Sequence, residues 1–133
     1  MKKALEFLQE SGTFHLATTE GDQPRVRPFG AVFQYEKKLY ILTNNTKECF
    51  KQMLENPKVE ISAMNKNGQW IRVTGEVAND DRLEVKEFSL EAHPSLKTLY
   101  SVDDGIISVL YFTKGTATIS SFTTAPETFP LYA

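Results

Sequence analysis

One cysteine, one tryptophan and two histidines occur in the 133 residues of this chain, and each scarcity removes a class of chemistry. A lone Cys49 excludes an intrachain disulfide and a cysteine-rich zinc site, and agrees with a cytoplasmic, reducing compartment. His15 and His93 do not have the spacing of a metal pair. No dense basic run exists: fifteen Lys and Arg are offset by seventeen Asp and Glu, for a formal charge of −2, which argues against a duplex nucleic acid as partner. Long apolar runs are missing too. Nothing approaches the roughly 20 apolar residues that span a bilayer, and "MKKALEFLQESG" reaches Glu6 and Glu10 too early to be a signal peptide, so no membrane partner is expected. There is no P-loop, no dinucleotide glycine fingerprint, no nucleophile elbow and no internal repeat.

What is present is a soluble globular composition, 41% hydrophobic and 24% charged, in a length that suits one domain over residues 1–133. The first segment reads as a short helix burying Ala4, Leu5 and Leu8 and closing near Gly12. "TFHLATT" follows as a strand with Phe14 and Leu16 on one face, and "EGDQP" as a turn. "RVRPFGAVFQY" is a second strand interrupted at Pro28 and Gly30, which implies an edge, a bulge or a close backbone approach. "LYILTN" returns as the third.

A helix beginning near Thr46 places Cys49, Phe50, Met53 and Leu54 on one side and Lys51, Gln52 and Glu55 on the other, and stops before Pro57. "KVEISAM" and "QWIRVTGEVA" alternate as a hairpin around "NKNG". Asn79, Asp80 or Asp81 caps a charged helix that Pro94 breaks in two. "GIISVLYFTKGTATISSF" supplies one long strand or a hairpin near Lys114 and Gly115, and the tail "TTAPETFPLYA" lies across a surface. Short antiparallel strands in meander order, with a helix inserted after the third, fit a small closed barrel. Among reactive groups, Cys49 reads as a buried structural thiol, His15 as a strand residue with a satisfied ring and His93 as a solvated loop residue.

Lys47 is the informative position. A cation near a helix start opposes the positive end of the helix dipole unless an anion is close. The anion is either internal, with Asn45 and Glu48 forming a capping box, or external, a phosphate on the helix start. Arg25 and Arg27 share a strand face, and a short turn between strands two and three would let Arg27 converge with Thr43, Asn44 and Lys47. The two arginines also suit a solvated sheet edge.

The combination of "PRVRP", "LYILTNNTK" and "NPKVEISA" at these separations, continued by "WIRVTGEV", resembles the flavin-binding split barrels related to pyridoxamine 5'-phosphate oxidase. It covers residues 4 to 78 well, and the strand order remains consistent to residue 122. The resemblance implies a mainly β, six-stranded antiparallel split barrel with flanking helices, forming a homodimer that holds FMN at the subunit interface. It implies Arg27 and Lys47 on the FMN phosphate, Thr43 and Asn44 on phosphate and ribityl oxygens, Pro28, Phe29 and Leu42 along the isoalloxazine, and Trp70 against the ring. Tyr100, Ser120 and Phe122 of the partner subunit would close the pocket.

Thr46 stands where the pyridoxamine oxidases have an arginine, and the tail lacks their tryptophan and arginine. The chain therefore resembles the short flavin-binding oxidoreductases of the family, some of them similar to nitroimidazole reductases. The implied activity is electron transfer from a reduced nicotinamide or another small-molecule donor to a small acceptor. A flavin-binding module without turnover, and a split barrel holding haem or a deazaflavin instead, are the alternatives.

Overall fold

A computed structural model describes residues 1–133. Helix α1 (Lys2–Ser11) buries Ala4, Leu5, Phe7 and Leu8, one stripe of a 3.6-residue period, and Gly12 ends it at φ 76°. Strand β1 (Phe14–Glu20) turns Phe14, Leu16 and Thr18 inward by strict alternation. It pairs with β2 (Gln23–Phe29), whose Pro24 and Pro28 fit its place at the sheet edge, where a ladder N–H is not required.

At Gly30 the chain leaves that edge and restarts as β3 (Val32–Tyr35), joined to β4 (Lys38–Asn44) by a two-residue turn. Glu36 and Lys37 both adopt positive φ there, 49° and 63°, as such a tight hairpin demands. Helix α2 (Glu48–Glu55) then leads to β5 (Lys58–Met64) and β6 (Trp70–Asp80), paired antiparallel. Helix α3 (Leu83–Ala92) ends before Pro94, which opens a 3₁₀ turn over Pro94–Thr98, so the expected break at the proline is present. Strand β7 (Ile107–Ser120) is one continuous strand, followed by β8 (Glu127–Pro130).

The sheet order is β2-β1-β5-β6-β7-β4-β3, entirely antiparallel, with β8 added on β7. Its two ends, β2 and β3, are consecutive in the chain and joined through Gly30, so the order returns on itself as a split barrel. The mainly β architecture with three flanking helices is the expected one. Two departures raise the strand count from six to eight. Gly30 divides "RVRPFGAVFQY" into two strands at opposite ends of the order. The tail, expected on a surface, forms β8, because Leu131 is buried and its N–H donates to the Gly115 carbonyl at 2.9 Å. The meander is corrected as well: β1 pairs with β5, and β4 with β7.

The main core lies between α1, α2 and the inner sheet face, with Phe14, Ile61, Ile71, Leu110 and Phe112 fully buried. A smaller core, including Phe33, Tyr40 and Val109, sits under α3. Helix α2 docks through Cys49, Phe50 and Met53. Burying Phe50 and Met53 contributes about 1.5–3 kcal/mol each. Leu54, expected on that face, is 56% exposed, and Gln52, expected outside, is buried. Gln52 turns inward because its Oε1 accepts from the Thr18 hydroxyl at 2.5 Å and from Arg27 at 2.9 Å. Helix α3 is preceded by Arg82 in extended conformation with no side-chain cap. None of Asn79, Asp80 and Asp81 caps it as expected, because the chain stays in β6 to Asp80 and the Asp80 carboxylate accepts from the N–H of Arg82, the N-cap residue itself, at 3.1 Å.

Candidate functional site

A cavity of about 410 Å³ opens where the split lies. One wall is the crossing itself: Pro28 and Phe29 at the end of β2, Gly30, and Ala31 before β3. The Ala31 carbonyl accepts from the Leu42 N–H at 3.2 Å, which fastens the crossing over β4. Leu42 and Thr43 of β4 form the next wall, and Lys47 stands at the corner. The segment after α3 supplies the far side with His93, Ser95, Leu96, Leu99 and Tyr100.

Thr43 carries the strongest signal. Its side chain is 2% exposed, and its Oγ1 has no hydrogen-bond partner within the protein. Buried hydroxyls are nearly always paired, and leaving one unpaired costs about 1–3 kcal/mol. Thr43 is also one of the residues that line the cavity.

Lys47 proves to be the N-cap residue of α2, with φ −80° and ψ 144°. Its side chain therefore departs before the helical turns begin, and Nζ lies 5.7 Å from the centre of the Phe29 ring. The capping box is not formed. Asn45 donates instead to the Gly105 carbonyl at 2.9 Å, and Glu48 lies 3.5 Å from Lys51. Neither Lys47 nor Arg27 has a carboxylate within ion-pair distance. The opening cation of α2 thus lacks an internal counter-charge.

Of the other residues expected at the FMN site, Pro28, Phe29 and Leu42 line this cavity, and Arg27, Asn44 and Trp70 lie outside it. β2 and β4 are not ladder neighbours, so the register argument that brought Arg27 to Lys47 fails. The guanidinium of Arg27 instead donates to Thr18 Oγ1 at 2.7 Å, Gln52 Oε1 at 2.9 Å and the Leu16 carbonyl at 3.3 Å, on the flank of α2. Asn44 uses its amide internally, donating to the Tyr100 hydroxyl at 2.7 Å and accepting from the Thr46 N–H at 3.1 Å. Trp70 lies in a neighbouring groove, its ring centre 5.1 Å from that of Phe122. Thr13 borders both the groove and the cavity.

Sequence reasoning missed the cavity face of the 93–100 segment. Tyr100, expected from a partner subunit, lines the cavity of its own chain. His93, expected in solvent, has Nε2 at 2.9 Å from the Val32 carbonyl. Nothing in a polar stretch interrupted by proline signals that it folds back over β3.

The most perturbed ionisable groups lie elsewhere. Burial and a hydrogen bond to Asp80 push the Tyr40 phenol well above its ordinary value. Burial alone would raise the Asp80 carboxyl, but hydrogen bonds from Arg82 and Tyr40 outweigh it and hold the group below the usual carboxylate range. These partners satisfy one another, as a structural network does. Around the cavity no group of three or more metal-binding side chains assembles, and no helix is long and apolar enough to cross a membrane.

Comparison with known proteins agrees with the geometry. The family model described as pyridoxamine 5'-phosphate oxidase matches residues 1–100. The chain is 75% identical to a nimc/nima family protein from Clostridium acetobutylicum, over 98% of this chain and 92% of that one, with a TM-score of 0.95. A pyridoxamine 5'-phosphate oxidase-related, FMN binding protein from Nostoc punctiforme is 12% identical, over 97% and 93% of the chains, at TM-score 0.62. A heme binding protein from Mycobacterium smegmatis is 13% identical, over 96% of this chain and 57% of that one, at TM-score 0.75. The search of curated proteins finds no match. The chain belongs to the pyridoxamine 5'-phosphate oxidase family, and at 75% identity to the nimc/nima family as well.

Proposed function

We propose that this protein binds FMN in the cavity at the split and acts as a homodimeric, cytoplasmic oxidoreductase that passes electrons from a reduced nicotinamide to a small acceptor. The observation that carries the reading is the cavity at the split, which Lys47, a cation without a carboxylate partner, lines together with Thr43, a residue whose buried hydroxyl is unpartnered within the protein. Lys47, a cation with no carboxylate partner, stands beside it and supplies the counter-charge for the phosphate. Arg27 adds positive potential from the flank of α2, through the half-buried guanidinium that Thr18 and Gln52 hold. Phe29, Ala31 and Leu42 offer an apolar wall for the flat ring, and the volume suits a small-molecule site, for which about 300–1,000 Å³ is usual. The FMN binding neighbour of the same fold supports this choice of group.

FMN, when bound, supplies the two-electron redox chemistry. The chain's own residues bind the phosphate, orient the ring and exclude water from one face. The dimer is supported by Phe122 (87% exposed), Val26 (67%) and Met64 (57%), apolar side chains of the β-rich half that no helix covers.

The test is the visible spectrum of the purified protein and the mass of the compound released on heating, followed by titration of FMN into Lys47→Ala. Near-stoichiometric FMN, with affinity reduced about 10-fold or more by the substitution, is the expected result. A colourless protein that takes up no FMN overturns the reading, as does a Soret band from bound haem.

A further inference from the structure

The turn between β5 and β6, "NKNG", holds the chain's one Asn-Gly pair, Asn67 and Gly68. Both reacting groups of that pair are free. Asn67 is exposed, its backbone N–H donates to Asn65 Oδ1 at 3.0 Å, and its side-chain amide makes no hydrogen bond within the protein. Every other asparagine amide is engaged: Asn44 with Tyr100, Asn45 with the Gly105 carbonyl, Asn56 with the Lys58 N–H, Asn65 with Gln69 and Asn79 with Asp81. Asn56 also precedes Pro57, which has no N–H. The Gly68 N–H has no acceptor either. Gly68 adopts φ 75° with open space around its Cα, so water and the Asn67 side chain reach its peptide nitrogen unobstructed.

The Asp-Gly pair at Asp104 and Gly105 is the contrast within the same chain. Asp104 Oδ1 accepts from the Ile106 and Ile107 N–H groups at 2.8 and 2.9 Å, and Oδ2 from the Ser101 N–H at 3.1 Å. Partial burial pushes its carboxyl up, but the hydrogen bonds from Ile107, Ile106 and Ser101 outweigh it and hold the group below the usual carboxylate range. An ionised carboxylate fixed in that way has no leaving group to offer a peptide nitrogen. The Asn67 amide is uncharged, carries one, and is free to turn.

We propose that Asn67 is a site of spontaneous modification, converting by intramolecular deamidation to isoaspartate and aspartate, and that the isoaspartate form loosens the turn into β6. The Gly68 peptide nitrogen gives its proton to hydroxide and attacks Cγ of Asn67. The N–Cγ bond forms, the Cγ–Nδ2 bond breaks, and ammonia leaves with a proton from solvent, which closes a five-membered succinimide. Water then adds to either of its two carbonyl carbons. Opening at Cγ gives aspartate with the ordinary backbone, and opening at the main-chain carbonyl gives isoaspartate, whose backbone runs through Cβ and Cγ. One water is consumed and one ammonia released, with no oxidant or reductant. Isoaspartate makes the chain to Gly68 one methylene longer. Asn65 holds Gln69 from both sides, its Oδ1 accepting from the Gln69 N–H at 3.0 Å and its N–H donating to the Gln69 carbonyl at 2.9 Å, so the added length misaligns these bonds. Trp70, the next residue, stands with its ring centre 5.1 Å from that of Phe122 and moves with the turn. The added charge does less. It joins Glu6, Glu10 and Glu127 around a surface cavity of about 220 Å³, but at an exposed position where solvent screens it.

The test incubates the full chain in heavy-oxygen water at mildly alkaline pH, digests it in ordinary water and maps the asparagine peptides by mass. Expected is deamidation at Asn67 at least about 10-fold faster than at any other asparagine, with heavy oxygen in the product and isoaspartate exceeding aspartate. The aged protein should melt about 3 °C or more below fresh protein, with altered emission from Trp70, the chain's single tryptophan. Asn67→Ser, which removes the leaving group, should keep its melting temperature and emission through the same incubation. Asn67→Asp, which adds the charge without the methylene, should melt within about a degree of fresh wild type. Asn67 left unmodified, or modified no faster than the other asparagines, overturns the site. Aged protein that melts like fresh protein, or an Asn67→Asp variant that melts as low as aged protein, overturns the effect assigned to isoaspartate.

Discussion

Replacing Thr43 by valine should move stability and ligand affinity in opposite directions, and that opposition is what makes the substitution informative. Valine keeps the shape of threonine and exchanges the hydroxyl for a methyl. In the ligand-free protein Oγ1 is buried with no partner, so the substitution removes a desolvation penalty of about 1–3 kcal/mol. For a domain of this length each kcal/mol corresponds to roughly 3–6 °C, so even the lower bound raises the melting temperature measurably. With FMN present the same change deletes a hydrogen bond to a charged or ribityl oxygen, worth about 1.5–3 kcal/mol if charge-assisted, or roughly 10- to 150-fold in Kd. Calorimetric melting of FMN-stripped protein measures the first effect and fluorescence titration of FMN the second. A variant that melts below wild type when stripped, and binds FMN as tightly, refutes the argument that this hydroxyl awaits a ligand.

Two further predictions concern the frame. Gly75 faces Gly115 across β6 and β7, next to the register shift at Glu76 and Val77, and a Cβ built on Gly75 would fall 2.3 Å from the Lys114 carbonyl oxygen and 2.9 Å from Phe112. Gly75→Ala should therefore cost about 3 kcal/mol, the upper part of the overpacking range, read as a lower urea midpoint with unchanged slope. The lowered pKa of Asp80 means that its contribution is complete above the ordinary value of about 3.8 and is lost as pH falls through the depressed folded value. Asp80→Asn should lower stability at neutral pH by about 1–2 kcal/mol, because half of the Arg82 pair is solvent-screened, and should flatten the acid limb of the stability profile below roughly pH 4.

Periodicity read the frame well where one face of an element is buried. The alternation in β1, β5 and β6, the apolar stripe of α1 and the stop at Pro94 follow from local rules, and the structure contains them. Local rules miss what distant partners decide. Gln52 is polar on an amphipathic helix and still turns inward, because Thr18 and Arg27 arrive from strands far away in sequence. The tail becomes a strand only because β7 extends past β4 and leaves an edge for it. Phe29, Leu42, Thr43 and Lys47, grouped by the motif, do line one cavity, since each is fixed by β2, β4 or the start of α2. The adjacency argument for Arg27 fails because the meander made β2 and β4 neighbours, which they are not. His93 and Tyr100 depend on the fold-back of an irregular segment, which no period encodes.

The location of the cavity follows from that adjacency. A closed barrel would pair its first and last strands and bury the crossing between them in a ladder. Here the two end strands are consecutive, and Gly30, in neither strand, carries the chain from one edge to the other. The crossing is fastened to β4 by the Ala31 carbonyl, which accepts from the Leu42 N–H. The same β4 strand ends two residues later at the turn into α2, which brings Thr43 and Lys47 to the mouth of the gap. The 93–100 segment, pinned by His93 to β3 and by Tyr100 to Asn44, closes the far side. An apolar wall and an uncompensated cation thus meet at the place where the barrel fails to close, with Thr43 and its unpartnered hydroxyl beside them.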